Sequence, residues 1–125
     1  MEHGDSLQFG LELSPENRNP ENKFAEFGMA LTSTGPVVYR WTEPKGPVPT
    51  APARIRRYGD RTEYQLALPW SEAGGHPAQG DRLGFALIVN DNDDSGREGW
   101  LALYDGLGRE KQPAAFGTIF LAPLP

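Results

Sequence analysis

Ser6-Leu7-Gln8-Phe9-Gly10-Leu11-Glu12-Leu13 is the stretch that decides the fold class. In an extended chain Leu7, Phe9, Leu11 and Leu13 fall on one side, and Gln8, Gly10 and Glu12 on the other. A period of two over this length marks a strand with one buried face. Working outward, the same period returns. Phe27, Met29 and Leu31 alternate with Glu26, Gly28 and Ala30, and Val37, Tyr39 and Trp41 share one face of a third strand. Arg54 to Tyr58 and Thr62 to Leu68 flank Gly59-Asp60-Arg61 and predict a hairpin. Leu83 to Val89 is apolar on both faces, so it is the predicted central strand. Trp100 to Tyr104 and Phe116 to Leu121 complete the set. The predicted core is Leu7, Phe9, Leu66, Leu68, Phe85, Leu87 and Val89.

The intervening segments read as connections. Ser14 to Asn22 is a polar, proline-containing loop. Pro44, Pro47, Pro49 and Pro52 exclude a central strand from Thr42 to Pro52, which reads as an extended surface connection. Pro69-Trp70-Ser71-Glu72 predicts one helical turn. No helical period is sustained anywhere. The fold class is therefore all-β, a sandwich of short antiparallel strands forming a single domain over residues 1–125.

Composition bounds the function. The 15 Gly and 12 Pro punctuate the strands. The absence of cysteine excludes disulfides, thiolate metal sites and cysteine catalysis. A net charge of -5 argues against nucleic acid, despite the cluster Arg54, Arg56 and Arg57. No apolar stretch approaches the roughly 20 residues of a membrane span. Met1-Glu2-His3-Gly4-Asp5 is no signal peptide. That leaves a mature chain, a piece of a longer one, or a protein not exported by that route.

The most distinctive segment is Asn90-Asp91-Asn92-Asp93-Asp94-Ser95-Gly96, read as an acidic loop. Asp91, Asp93 and Ser95 have the alternating oxygens of a calcium loop, with Gly96 at the sharp turn. The match is partial, because the closing Glu of an EF-hand would fall at Ala102. The two readings are a calcium ion on Asp91, Asp93 and Asp94, or a solvated turn capped by its own side chains. His3 and His76, the only histidines, do not assemble a catalytic group by spacing. The aromatic residues offer a sugar platform, on which a pyranose C–H face stacks while polar neighbours hold the hydroxyls. Trp100 and Tyr104 share a strand face beside the acidic loop, with Arg97 and Asp105 close by, and form the best candidate.

Five motifs then occur in a telling order. They are Gly4-Asp5-Ser6-Leu7-Gln8-Phe9, Tyr64-Gln65-Leu66-Ala67-Leu68-Pro69-Trp70, and Leu83-Gly84-Phe85 running into Val89-Asn90-Asp91-Asn92-Asp93. Gly96-Arg97-Glu98-Gly99-Trp100-Leu101 and Phe116-Gly117-Thr118-Ile119-Phe120-Leu121 follow. Together they resemble the family 9 carbohydrate-binding modules and the DOMON-like sugar-binding domains, over nearly the whole chain. The resemblance implies an immunoglobulin-like β-sandwich that binds carbohydrate without catalysis. It adds Gln8 to Arg97, Trp100, Tyr104 and Asp105 as an expected sugar contact, and implies calcium in some members and a secreted setting. Family domains normally carry further strands before the Gly-Asp-Ser segment. The expectation is thus an incomplete sandwich that self-associates or belongs to a larger secreted polypeptide. Leu103 stands where many relatives have an aromatic residue, and Gln8 where a Glu is common. A structural or interaction domain that has lost sugar binding is therefore the alternative. A metal-dependent hydrolase, and a haem domain using Met29 and His76, are further alternatives.

Overall fold

The computed structural model describes residues 6–13, 24–93, 96–103, 107 and 113–122, with side chains described at 6–13, 24–90, 107, 113 and 115–122. The opening alternation forms β1 (Ser6–Glu12), and the next two form β2 (Ala25–Thr32) and β3 (Gly35–Arg40). A tight turn joins β2 to β3. Thr32 Oγ1 donates to the Gly35 carbonyl at 2.7 Å and accepts from Thr34 N–H at 3.2 Å. Gly35 closes the turn at φ 113°, a backbone region that L side chains rarely adopt.

Next along the chain come the short β4 (Gly46–Pro47) and the hairpin of β5 (Ala53–Arg57) with β6 (Thr62–Leu66). The turn expected after Pro69 is a 3₁₀ turn over Trp70–Ala73. The long β7 (Arg82–Asp93) follows, with β8 (Gly96–Leu103) and β9 (Gly117–Phe120) last. Seven strands make one antiparallel sheet in the order β4-β3-β2-β1-β7-β8, and β9 pairs with β7 beyond the end of β8. β5 and β6 form a separate two-stranded sheet. β7 takes the interior position its two apolar faces predict.

The two layers enclose one main core. Phe9, Leu11, Ala25, Phe27, Met29, Val38, Val48 and Ala51 are buried in it, and Ile55, Tyr64 and Leu66 of the hairpin pack against it. Phe9 and Phe27, directly opposite in the β1–β2 register, stack with centroids 5.3 Å apart. The core is centred differently from the expected list. Phe27 and Met29 of β2 are fully buried, whereas Leu7, Leu66, Leu68, Phe85 and Leu87 are only partly so and Val89 is half-buried. The reason is coverage. A two-stranded layer with β5 against β3 cannot span seven strands, so the β7 flank stays more open.

The opposite face of the sheet has a smaller cluster. Ala86, Ile88, Leu107 and Phe116 are buried there, with Phe24 against Phe116 edge to face. Gly10 makes this fit possible. A Cβ on Gly10 would lie 2.7 Å from the tip of the Phe116 ring.

Two connections differ from their sequence reading. The proline-rich segment is not wholly at the surface. Val48 N–H donates to the Val38 carbonyl at 2.9 Å, and Val48 and Ala51 are buried. The prolines are accommodated because β4 is the sheet's edge strand, where missing donors cost nothing. The acidic segment is not a long loop either. β7 continues through Asp93 and β8 begins at Gly96, with a register shift between Asp91 and Asn92. Ladder pairing with β8 holds this backbone extended.

Candidate functional site

The face of the large sheet turned away from the main core gathers polar and aromatic groups that are distant in sequence. Gln8 stands opposite Gly28 on one side and Ile88 on the other, and Gly28 stands opposite Tyr39. Gly28 puts no side chain between Tyr39 and Gln8. In the neighbouring row Trp41 N–H donates to the Glu26 carbonyl at 2.8 Å, which places Trp41 beside Glu26. The Tyr39 and Trp41 rings lie 4.6 Å apart, centroid to centroid, tilted by 50°. Trp41 is 40% exposed, a large open area for so apolar a ring.

Gln8 is held at both ends of its amide. Its Nε2 donates to Glu26 Oε2 at 2.9 Å, and its Oε1 accepts from Asn90 Nδ2 at 2.7 Å. Asn90 Nδ2 also lies 3.3 Å from Ser6 Oγ. Glu26 is further placed through its backbone N–H, which donates to Thr42 Oγ1 at 3.1 Å. Glu26 and Asn90 are each only 4% exposed, and among the described residues Asn90 Oδ1 is buried with no partner. An amide fixed by a carboxylate on one side and another amide on the other has one orientation, because the opposite one would set oxygen against oxygen. Gln8, half-buried, is the member of this network that reaches toward solvent beside the aromatic pair.

A second feature lies at one end of the sandwich. A cleft of about 450 Å³ runs between Leu11, Leu13 and Phe24 on one side and Ser71 to Gly74 on the other. Arg40 spans it. Its guanidinium donates to the Glu72 backbone carbonyl and, at 2.6 Å, to Glu72 Oε2, and it sits 5.4 Å from the Phe27 ring centroid. Thr50 Oγ1 donates to the other Glu72 oxygen at 3.3 Å. This set ties the 3₁₀ turn to the sheet.

Among the residues expected at a sugar site, Gln8 is present on the aromatic face. Trp100 pairs through its backbone with Asn90, and Arg97 with Asn92, which carries β8 alongside the Gln8 network. The side chains of Arg97 and Trp100, and all of Tyr104 and Asp105, lie outside the described residues. So do Asp94 and the side chains of Asp91 and Asp93, whose backbones pair with Gly99 and Gly96. Among the described residues no group of three or more His, Asp or Glu is placed to hold a metal. Met29 is fully buried in the packed core, whereas His76 is exposed.

Tyr39, Trp41, Glu26 and Asn90 were not singled out by the sequence as site residues. Their signal was the shared face of Val37, Tyr39 and Trp41, together with polar residues at alternate positions of apolar strands. Only the register of β3 on β2 and of β7 on β1 brings these groups to one place.

Fold and face together define an all-β domain that offers an aromatic surface beside a fixed amide. The chain belongs to the family described as carbohydrate family 9 binding domain-like, which matches residues 49–123. The match takes in β5 to β9 and Asn90, while Gln8, Glu26, Tyr39 and Trp41 precede it. No curated protein and no solved structure matches the chain.

Proposed function

We propose that the chain is a non-catalytic carbohydrate-binding module whose ligand lies on the Tyr39–Trp41 face. The observation that carries this reading is Trp41, exposed and packed on Tyr39, in the row next to the immobilised Gln8 amide. A pyranose presents a flat C–H face to such a ring and hydroxyls at its edge to an amide. Binding families of this description do the same work by surface, with no bond made or broken. Trp100, in register with Asn90, extends the proposed site toward β8, with Arg97, Tyr104 and Asp105 as further contributors. A second reading, an interaction domain without a sugar ligand, is favoured by one observation. Both ends of the Gln8 amide are already engaged within the protein.

Titration against soluble oligosaccharides, with co-sedimentation on insoluble polysaccharides, separates the two. The expected result is saturable binding that Trp41→Ala weakens at least tenfold, about 1.4 kcal/mol. The melting temperature of that variant should stay within a few degrees, because the ring is largely outside the core. Absence of binding to every sugar class would leave the interaction domain. Binding indifferent to Trp41→Ala and Tyr39→Ala would move the site elsewhere on the molecule.

A further inference from the structure

The β5–β6 hairpin carries a concentration of positive charge that the sugar face does not use. Arg54, Arg56, Arg57 and Arg61 fall within eight consecutive residues and all are exposed. Against Asp60 and Glu63 they leave residues 54–63 at +2, in a chain of net charge -5, so the remainder carries -7. This segregation is structural as well as local in sequence. Ile55 packs into the core, so Arg54 and Arg56 on either side of it point outward, about 7 Å apart along the strand. Arg57 Nη1 donates to Thr62 Oγ1 across the hairpin at 2.7 Å. Arg61 lies over the Tyr58 ring with its guanidinium carbon 4.4 Å from the centroid. Among the described residues no ion pair joins Arg54 or Arg56 to a carboxylate, and the contact of Arg61 with Asp60 is long, 3.9 Å between two exposed groups. β5 and β6 lie in the layer opposite the large sheet, so this surface is on the far side of the molecule from Trp41.

We propose that the outward face of the β5–β6 hairpin is a docking surface for a linear acidic polysaccharide, bearing carboxylate or sulfate groups. Guanidinium groups present forked donors that match planar carboxylates and sulfates. Arg54 and Arg56 present two of them along one face of an extended strand, with Glu63 opposite Arg56, a repeat that suits a polymer with charges spaced along its length. Two other polyanions fit less well. Single-stranded nucleic acid needs open aromatic faces for its bases, and the one exposed ring here, Tyr58, is covered on a face by Arg61. A membrane surface needs apolar side chains to insert, and the hairpin offers one large exposed ring among the described residues, Tyr58, already covered on a face by Arg61. The choice of a polysaccharide rests on the carbohydrate reading above, but the surface is a separate one.

Affinity electrophoresis of the whole chain, in gels containing polygalacturonate, dextran sulfate or neutral dextran, tests the proposal. Retardation is expected in one or both acidic gels, the two arms distinguishing carboxylate from sulfate. It should weaken about tenfold between 50 and 200 mM salt, as when two or three charges displace counterions. Arg54→Gln/Arg56→Gln should abolish it and leave oligosaccharide binding at Trp41 unchanged, while Trp41→Ala should do the reverse. No retardation by either acidic polymer, or retardation undiminished in the double variant, would overturn the proposal. Equal retardation by single-stranded DNA would assign the surface to nucleic acid instead. Because each surface has its own variant and its own ligand, failure at one is distinguishable from failure at the other.

Discussion

Phe27 and Phe85 show how burial, not residue type, sets the weight of a side chain. Phe27 is wholly enclosed between Phe9, Met29 and the Arg40 guanidinium, whereas Phe85, on the open flank, is only partly covered. Phe27→Ala should cost about 3–5 kcal/mol, the usual range for emptying a packed aromatic site. Phe85→Ala should cost clearly less, because its surroundings already admit water. Paired urea denaturation curves check the order, and equal losses would show that the hairpin covers both. The residue scale also shows what the sequence discloses. Alternation put Phe9 in the expected core and Phe27 and Met29 on one face of a strand, but the expected core left those two out, although both are fully buried. It preferred Leu87 and Val89 to them, because the true ranking depends on how far the second layer reaches. The same limit hid Tyr39 and Trp41 as site residues, although their common face was plain.

At the scale of elements, Arg40 and Glu72 decide how the 3₁₀ turn Trp70–Ala73 is attached. Their side chains are 11% and 29% exposed, so the pair is sheltered and its loss should be felt. Glu72→Ala leaves a half-buried guanidinium whose Nε has no partner among the described residues, and should destabilise by roughly 3 kcal/mol. Arg40→Met keeps the contact with Phe27 while removing the charge. The double variant Arg40→Met/Glu72→Ala should therefore be more stable than Glu72→Ala alone, a comparison thermal denaturation can make. The β7–β8 tip gives a second expectation. Asp91, Asp93 and Asp94 fall within four consecutive residues of the sequence where β7 gives way to β8, and a calcium ion bound by them would offset the repulsion of like charges so close in the chain. Chelator should lower the melting temperature and calcium restore it by mass action, whereas an unchanged value would leave a solvated turn. Elements were largely legible in the sequence: hairpin, helical turn and strands lie where Gly and Pro punctuate the alternation. The exceptions are instructive. Pro47 sits in a strand because that strand is an edge, and Asp91 to Asp93 are extended because β8 pairs with them. Both outcomes depend on a neighbour that local sequence does not name.

On the scale of the whole molecule, β1 joins the first part of the chain to the last. It lies between β2, its neighbour in sequence, and β7, and the Ser6–Asn90 contact spans 84 residues. That placement has a consequence in time. At a synthesis rate of about 5–20 residues per second, β1 would wait roughly 4–17 s for β7 to emerge. Through that interval Leu7, Phe9 and Phe27 have no complete layer to enter, and a nascent chain would expose them to chaperones or to other chains. In a test tube the same long-range closure should make refolding slow for the protein's size, in the millisecond-to-second range of all-β domains. Stopped-flow fluorescence of the tryptophans would record it. Microsecond refolding would mean that the β2–β3 and β5–β6 hairpins assemble without waiting for the ends to meet.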